Sequence, residues 1–171
     1  MIENVNLILP EIFLSVSIFV TLLVGVFFKN SYNLVTNITY GIIISLLLII
    51  FNSFNESGNL FFNSFVSNSF TNFFKIIILI GTLFIMLITQ NFIKENKINY
   101  FEYPLLLLFS VLGMFFMISA NDLMSFYLGL ELQSLALYIL AAFDRDNLRS
   151  NESGIKYFVL SALSSGLLLY G

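Results

Sequence analysis

The chain has 171 residues, of which 58% are apolar and only 10% charged. Its mean hydropathy is +0.95, whereas soluble domains carry about a quarter charged residues, so the composition argues against a water-soluble globule. Cysteine and histidine are both absent, which excludes disulfides, iron–sulfur ligation, haem-histidine and zinc sites, and any Cys or His nucleophile or base. The net charge is -3; the basic residues form no patch, so nucleic acid is excluded as a partner.

Glu3 stands where a secretory signal would need a basic residue, and Arg and Ser enrichment of a transit peptide is absent. The first apolar run is therefore read as a retained membrane anchor. A bilayer core about 30 Å thick needs about 20 mostly apolar residues in a helix. Six segments meet or approach that length: 7–28, 34–51, 73–93, 103–119, 122–143 and 154–171. The first carries Pro10 and Glu11 in its opening turn, where a missing N–H is harmless. Continuous runs such as Ile42-Ile43-Ile44 and Leu105-Leu106-Leu107-Leu108 do not alternate as barrel strands do. The predicted fold is all-α, a polytopic transmembrane bundle of about six helices with no soluble domain.

Between the second and third spans, residues 52–72 read as a polar loop rich in Asn, Ser and Phe. The fourth and fifth spans are joined by little more than Ser119-Ala120-Asn121-Asp122, so they must be antiparallel neighbours, with Asn121 or Asp122 as helix N-cap. Basic residues in short loops set orientation. Lys29, Lys94 with Lys97, and Arg145 with Arg149 fall in alternate loops, and Glu3, Glu56 and Asp122 fall on the other side. The expectation is an outward N-terminus with the three basic loops in the cytoplasm or matrix. An AT-rich coding bias, visible in 21 Phe residues, bears only on location and suggests the mitochondrial inner membrane, with a bacterial inner membrane as the alternative.

Glu131 is the residue with most to explain. It lies nine residues after Asp122, roughly 14 Å along the fifth helix and near mid-bilayer, where an acid costs about 2.5–3.5 kcal/mol to insert. Tyr127, Glu131, Ser134 and Tyr138 share one helical face; Leu128, Leu132, Leu135 and Ile139 share the opposite one. A polar stripe in a membrane faces protein or internal water. Glu131 is thus either a proton-relay or ion-coupling carboxylate, or a neutral or paired group that holds helices together. Lys156, just inside the sixth span, either snorkels to the interface or biases Glu131 electrostatically. Glu11 and Glu102 occupy first turns, where the helix dipole favours anions, and Lys75 opens the third span and is expected to snorkel. Gly154, Ser161, Ala162, Ser164, Ser165 and Gly166 favour close packing of the sixth helix. No phosphate loop, dinucleotide motif or metal cluster is present.

Three stretches carry a resemblance. They are Ser119-Ala120-Asn121-Asp122-Leu123-Met124 followed by Tyr127-Leu128-Gly129-Leu130-Glu131-Leu132-Gln133-Ser134-Leu135 and Tyr138-Ile139-Leu140, then Glu152-Ser153-Gly154-Ile155-Lys156-Tyr157-Phe158, and Ser164-Ser165-Gly166-Leu167-Leu168-Leu169-Tyr170-Gly171. With the opening Leu9-Pro10-Glu11-Ile12-Phe13-Leu14, they resemble chain 2, an antiporter-like membrane subunit of proton-pumping NADH–quinone oxidoreductase (respiratory complex I). The resemblance implies that Glu131 is a proton-channel residue and that Lys156 lies on the hydrophilic axis; the stripe of Tyr127, Ser134 and Tyr138, read from helical spacing, would support Glu131. It implies no cofactor in this chain, since NADH, FMN, iron–sulfur clusters and quinone belong to other subunits. Partners would be other membrane-arm subunits and lipids. Family members are longer, built on inverted repeats, so this sequence matches an N-terminal portion, an incomplete antiporter-like fold. A separate polypeptide supplying the remaining helices is the expectation, or else a reduced form that does not pump. The alternatives are a piece of a multisubunit cation/proton antiporter and a structural scaffold with no proton path.

Overall fold

The computed structural model describes residues 5–28, 31–95 and 100–171; Glu3, Lys29 and Lys97 lie outside them. In chain order the elements are α1 (Val5–Phe27), α2 (Ser31–Asn52), β1 (Gly58–Leu60), β2 (Phe65–Ser67), α3 (Ser69–Glu95), α4 (Glu102–Ser119), α5 (Leu123–Ala141) and α6 (Leu148–Tyr170). All six helices are long and apolar enough to cross a membrane. The architecture is the expected all-α membrane bundle with one small addition: the loop read over 52–72 contains a two-stranded antiparallel hairpin, Gly58 opposite Ser67 and Leu60 opposite Phe65.

Several helices run past the apolar segments that announce them. α3 starts at Ser69 and not at residue 73, because Thr71 and Asn68 close its first turn: the Thr71 hydroxyl donates to the Asn68 carbonyl and accepts from the Asn68 N–H, both at 2.8 Å. α6 starts at Leu148, six residues before the expected Gly154, because the Asn147 side chain accepts the Arg149 N–H at 3.0 Å and caps it. α1 already runs from Val5, so Pro10 is inside the helix and not in its opening turn; its ring leaves the residue 6 carbonyl without its i+4 donor.

The core is built by four helices. Leu14 and Ile18 of α1, Val35, Ile43, Leu46 and Ile50 of α2, Leu79 of α3, and Leu108, Val111 and Phe115 of α4 form one buried cluster. α5 reaches it only through Leu132. α5 and α6 therefore form a side hairpin laid against α4, and α6 presents Leu148, Ile155, Leu160, Leu163 and Leu167 outward. In lipid such exposure has no hydrophobic penalty, so helices associate through close packing. The α4–α5 contact is of that kind: a Cβ on Gly113 would stand 2.5 Å from the Gln133 backbone nitrogen, and one on Gly129 2.8 Å from that of Met117. The α5–α6 turn is equally tight. A Cβ on Gly154 would meet the Ala142 Cβ at 2.4 Å, and the Ser150 hydroxyl donates to the Ala141 carbonyl at 3.0 Å.

The β-hairpin, the α4–α5 link and the start of α3 share one end of the bundle. Phe65 bridges to Ala120, the Asn121 N–H donates to the Ser64 carbonyl at 3.0 Å, and the Asn121 amide donates to the Asn63 carbonyl at 2.8 Å. Asp122 is the N-cap of α5, accepting the Ser125 N–H at 2.6 Å. Between the strands, Phe61, Phe62 and Asn63 all have positive φ, an unfavourable conformation for two Phe residues. At the opposite end the α3–α4 and α5–α6 connections meet. The Arg145 guanidinium lies over the Tyr100 ring at 5.9 Å, and Phe143 packs edge-on against Tyr100 and Tyr103. The basic connections therefore share an end wherever they are described.

Hydrogen bonds from Ser125, side chain first and backbone second, and from the Ser64 hydroxyl hold the Asp122 carboxyl below its ordinary value. A carboxyl with a lowered folded value adds stability above its unfolded value and loses it as pH falls through the folded one. Amide protection in the first turn of α5 is therefore expected to drop at acidic pH, below the usual aspartate range. Asp122→Asn, which can still cap, should abolish that pH dependence in hydrogen exchange.

Candidate proton-handling site

Glu131 is the ninth residue of the nineteen in α5, so it sits at mid-helix. It is half-buried, and its Oε1 is buried without a hydrogen-bond partner among the described residues. An unmet carboxylate oxygen inside a membrane protein is expensive, and a proton, a water or a cation could satisfy it.

The stripe on α5 is only partly sheltered. Tyr127, Glu131 and Ser134 are half-buried and Tyr138 is buried. The Ser134 hydroxyl donates to the Glu131 carbonyl at 3.0 Å, so it serves the backbone and not the carboxyl group. Tyr138 packs edge-on against Tyr157 at 4.9 Å and Phe158 at 5.6 Å between ring centres, which ties the stripe to α6. Leu128, Leu135 and Ile139 on the other face are exposed, while Leu132 turns to the core.

Lys156 is the ninth residue of α6. Its ammonium pairs with Glu152 one turn earlier at 2.5 Å, both side chains more than 60% exposed. The structure does not bring Lys156 to Glu131. A surface pair of this kind contributes little in water.

A second pair of charges escaped the reading of the sequence. Lys75, expected to snorkel, and Glu11, expected in a first turn, are both buried inside their helices. Lys75 Nζ donates to Glu11 Oε1 at 2.5 Å, with the two side chains 0% and 1% exposed. The Ser119 hydroxyl, at the last residue of α4, also reaches Glu11 Oε1 at 3.5 Å. Lys75 Nζ lies 5.5 Å from the Phe65 ring centre and 5.8 Å from that of Phe115. Glu11 Oε2 is buried with no hydrogen-bond partner among the described residues. The signal was present in the sequence but depended on helix ends. α1 begins at Val5 and α3 at Ser69, so Glu11 and Lys75 are each the seventh residue of helices that run the same way. Each lies about 9 Å from its helix start, and opposite charges at equal depth in parallel helices meet. Glu102, also placed in a first turn, keeps its Oε2 buried and unpaired among the described residues.

Six helices long enough to span a membrane, a mid-helix acid with an unmet oxygen and a buried ion pair define a polytopic membrane protein that keeps ionisable groups inside its helical layer. The fold is that of a chain in respiratory complex I from Thermus thermophilus with bound aureothin, at a TM-score of 0.79 and 24% identity over 94% of this chain and 35% of that one. A family model described as NADH:quinone oxidoreductase/Mrp antiporter, transmembrane, matches residues 120–171. The chain is 54% identical over 170 residues to NADH-quinone oxidoreductase subunit N of Pelagibacter ubique, covering 99% of this chain and 36% of that protein. It is 46% identical over 171 residues to subunit N of Bartonella bacilliformis, covering 99% and 35%. The chain is thus a homologue of NADH-quinone oxidoreductase subunit N along its whole length, and it spans about a third of the length of those relatives.

Proposed function

We propose that the chain forms part of the membrane arm of a proton-pumping NADH:quinone oxidoreductase and contributes part of a transmembrane proton pathway, while electron transfer from NADH through FMN and iron–sulfur clusters to quinone takes place in other subunits. Identity along all of the chain to subunit N supports the setting. The observation that carries the proton role is the unmet Oε1 of Glu131 at mid-depth in α5. Glu131 takes up and releases the proton, with Tyr127, Ser134 and Tyr138 on the same face. The helices that complete the fold in longer relatives, from the same chain or a separate polypeptide, lie against the exposed faces of α5 and α6 and bring a cation to Glu131. Lys156, already paired to Glu152, adjusts the potential at that interface. Other membrane-arm subunits and lipids complete the surroundings. In complex I reconstituted into vesicles, Glu131→Gln is expected to lower the number of protons moved per NADH oxidised. Parental pumping in an assembled complex would mean a scaffold instead. Copurification with the NADH-oxidising arm separates this reading from that of a cation/proton antiporter.

The membrane is read as a bacterial inner membrane, since the relatives named above are bacterial; the mitochondrial inner membrane is the alternative. The N-terminus and hairpin end face outward, and Arg145 and Arg149 face the cytoplasm or matrix, following the basic-loop rule. Because cysteine is absent, Glu56→Cys and Asp146→Cys test this directly. An impermeant maleimide added outside should label the first and spare the second; the reverse pattern inverts the topology.

A further inference from the structure

We propose that Glu11 and Lys75 form a second proton-exchange site, at the hairpin end of the bundle, with Ser119 as the hydroxyl that passes the proton. This rests on reading the chain as part of a proton-translocating complex. It does not involve Glu131, which lies deeper and on another helix.

Two features distinguish this pair from an inert clamp. The first is the carboxyl group itself. A buried carboxylate that only served to anchor an ammonium would have both oxygens satisfied, yet Glu11 Oε2 has no partner among the described residues. It is a buried acceptor that no protein donor among the described residues serves. The second is the surroundings of the ammonium. If Glu11 becomes neutral, Lys75 loses its counter-charge, and a lone buried cation is normally intolerable. Here the faces of Phe65 and Phe115 stand within 6 Å of Nζ on two further elements, β2 and α4. Ring faces attract a cation without any proton of their own. They hold the ammonium while the carboxyl is protonated.

The route is short. Ser119 contacts Glu11 from the last residue of α4, and two residues on, Asn121 is exposed at the bundle end. In loading, the buried Ser119 hydroxyl gives its proton to Glu11 as it takes one from a hydronium ion reaching it past Ala120 at the α4–α5 link, and the water left behind returns to the solvent. Rotation of the carboxyl group about its terminal C–C bond presents Oε2 to Ser119 while the other oxygen keeps the bond to Lys75. One proton is gained, the carboxylate becomes a carboxylic acid, Lys75 keeps its three protons, and the site goes from net zero to one positive charge. Release is the reverse. The groups facing the site are Glu11 from α1, Lys75 from α3, Ser119 and Phe115 from α4 and Phe65 from β2; no other charged side chain pairs with them among the described residues. Access to water is set by the hairpin, which Asn121 pins in place.

The test uses assembled complex I holding the full-length subunit, in vesicles, with Ser119→Ala and the double variant Glu11→Gln with Lys75→Met. Ser119→Ala keeps the ion pair and adds no bulk, so it assembles. Its proton movement at parental NADH supply is expected to slow about tenfold or more, the scale of losing a positioned proton-transfer group. The double variant removes both charges together, so no unpaired charge is left, and it is expected to lower protons moved per NADH. Acidification should also raise a carboxylic-acid infrared band in the parent and in Glu131→Gln that is lost in the double variant. Parental pumping in both variants with no such band overturns the proposal. If Glu131→Gln pumps normally as well, the reading of the chain as a proton pathway fails with it; if Glu131→Gln alone fails to pump, only this second site is refuted.

Discussion

Lys75→Ala is expected to destabilise the bundle by about 3–5 kcal/mol, the range measured when one partner of a buried ion pair is removed. The loss comes less from missing attraction than from what remains: Glu11, about 1% exposed, would be left without a counter-ion and must either bear a buried charge or take up a proton to be rid of it. Replacing both residues with neutral side chains of similar size should recover most of the stability, since a buried pair and an apolar substitute are close in free energy. Glu11→Ala should cost less, because the Phe65 and Phe115 rings still face the Lys75 ammonium. Unfolding in denaturing detergent, followed by helical circular dichroism, measures all three. Single variants as stable as the parent would mean that the two groups are hydrated in the membrane and that the contact between them is incidental.

Gly129→Ala is the second substitution with a large expected effect, and here the sign decides. Alanine is the better helix former by about 1 kcal/mol, so a glycine without a packing role would be improved by the change. The new Cβ would stand 2.8 Å from the Met117 backbone nitrogen and 3.0 Å from the Gly113 carbonyl oxygen. Backbone cannot rotate away as a side chain can, so α4 and α5 must separate. Overpacking of this kind costs about 1–3 kcal/mol, and Gly113→Ala, whose Cβ would press on Gln133, should match it. Glu131 is two residues, just over half a turn, past Gly129 on the helix that moves, so under the proposed function pumping should fall together with stability. A gain in thermal stability for either variant would show that the helices have room to spare.

How far the sequence could be read depended on the kind of signal. The six helices were legible because lipid demands long uninterrupted apolar runs, and runs such as 105–108 admit no other reading. Their ends were not legible. Ser69, Asn72, Asn147 and Ser150 are polar, and a hydropathy argument trims them away, although Asn68, Thr71 and Asn147 form caps that lengthen α3 and α6. That trimming displaced Lys75 to a helix mouth and hid its partner. The hairpin was invisible for a different reason: three-residue strands leave no periodicity, and its fold depends on Asn121, 58 residues downstream of Asn63. Glu131 stood out from its depth alone. The separation of Lys156 from it was legible too, from their different depths; what was hidden was the partner of Lys156, because Glu152 falls outside the apolar segment 154–171 and the structure makes it the second turn of α6.

The separation of 64 positions along the chain between Glu11 and Lys75 also constrains how the chain is made. Lysine at the centre of a helix resists entry from the translocon by about 2.5–3.5 kcal/mol, and less nearer the end. When α3 emerges from the ribosome, α1 must still be close enough for its acid to neutralise that lysine as it partitions. Pairing of α1 with α3 is therefore expected to precede or accompany the entry of α3 into the bilayer, with Ser119 and Phe115 of α4 completing the site.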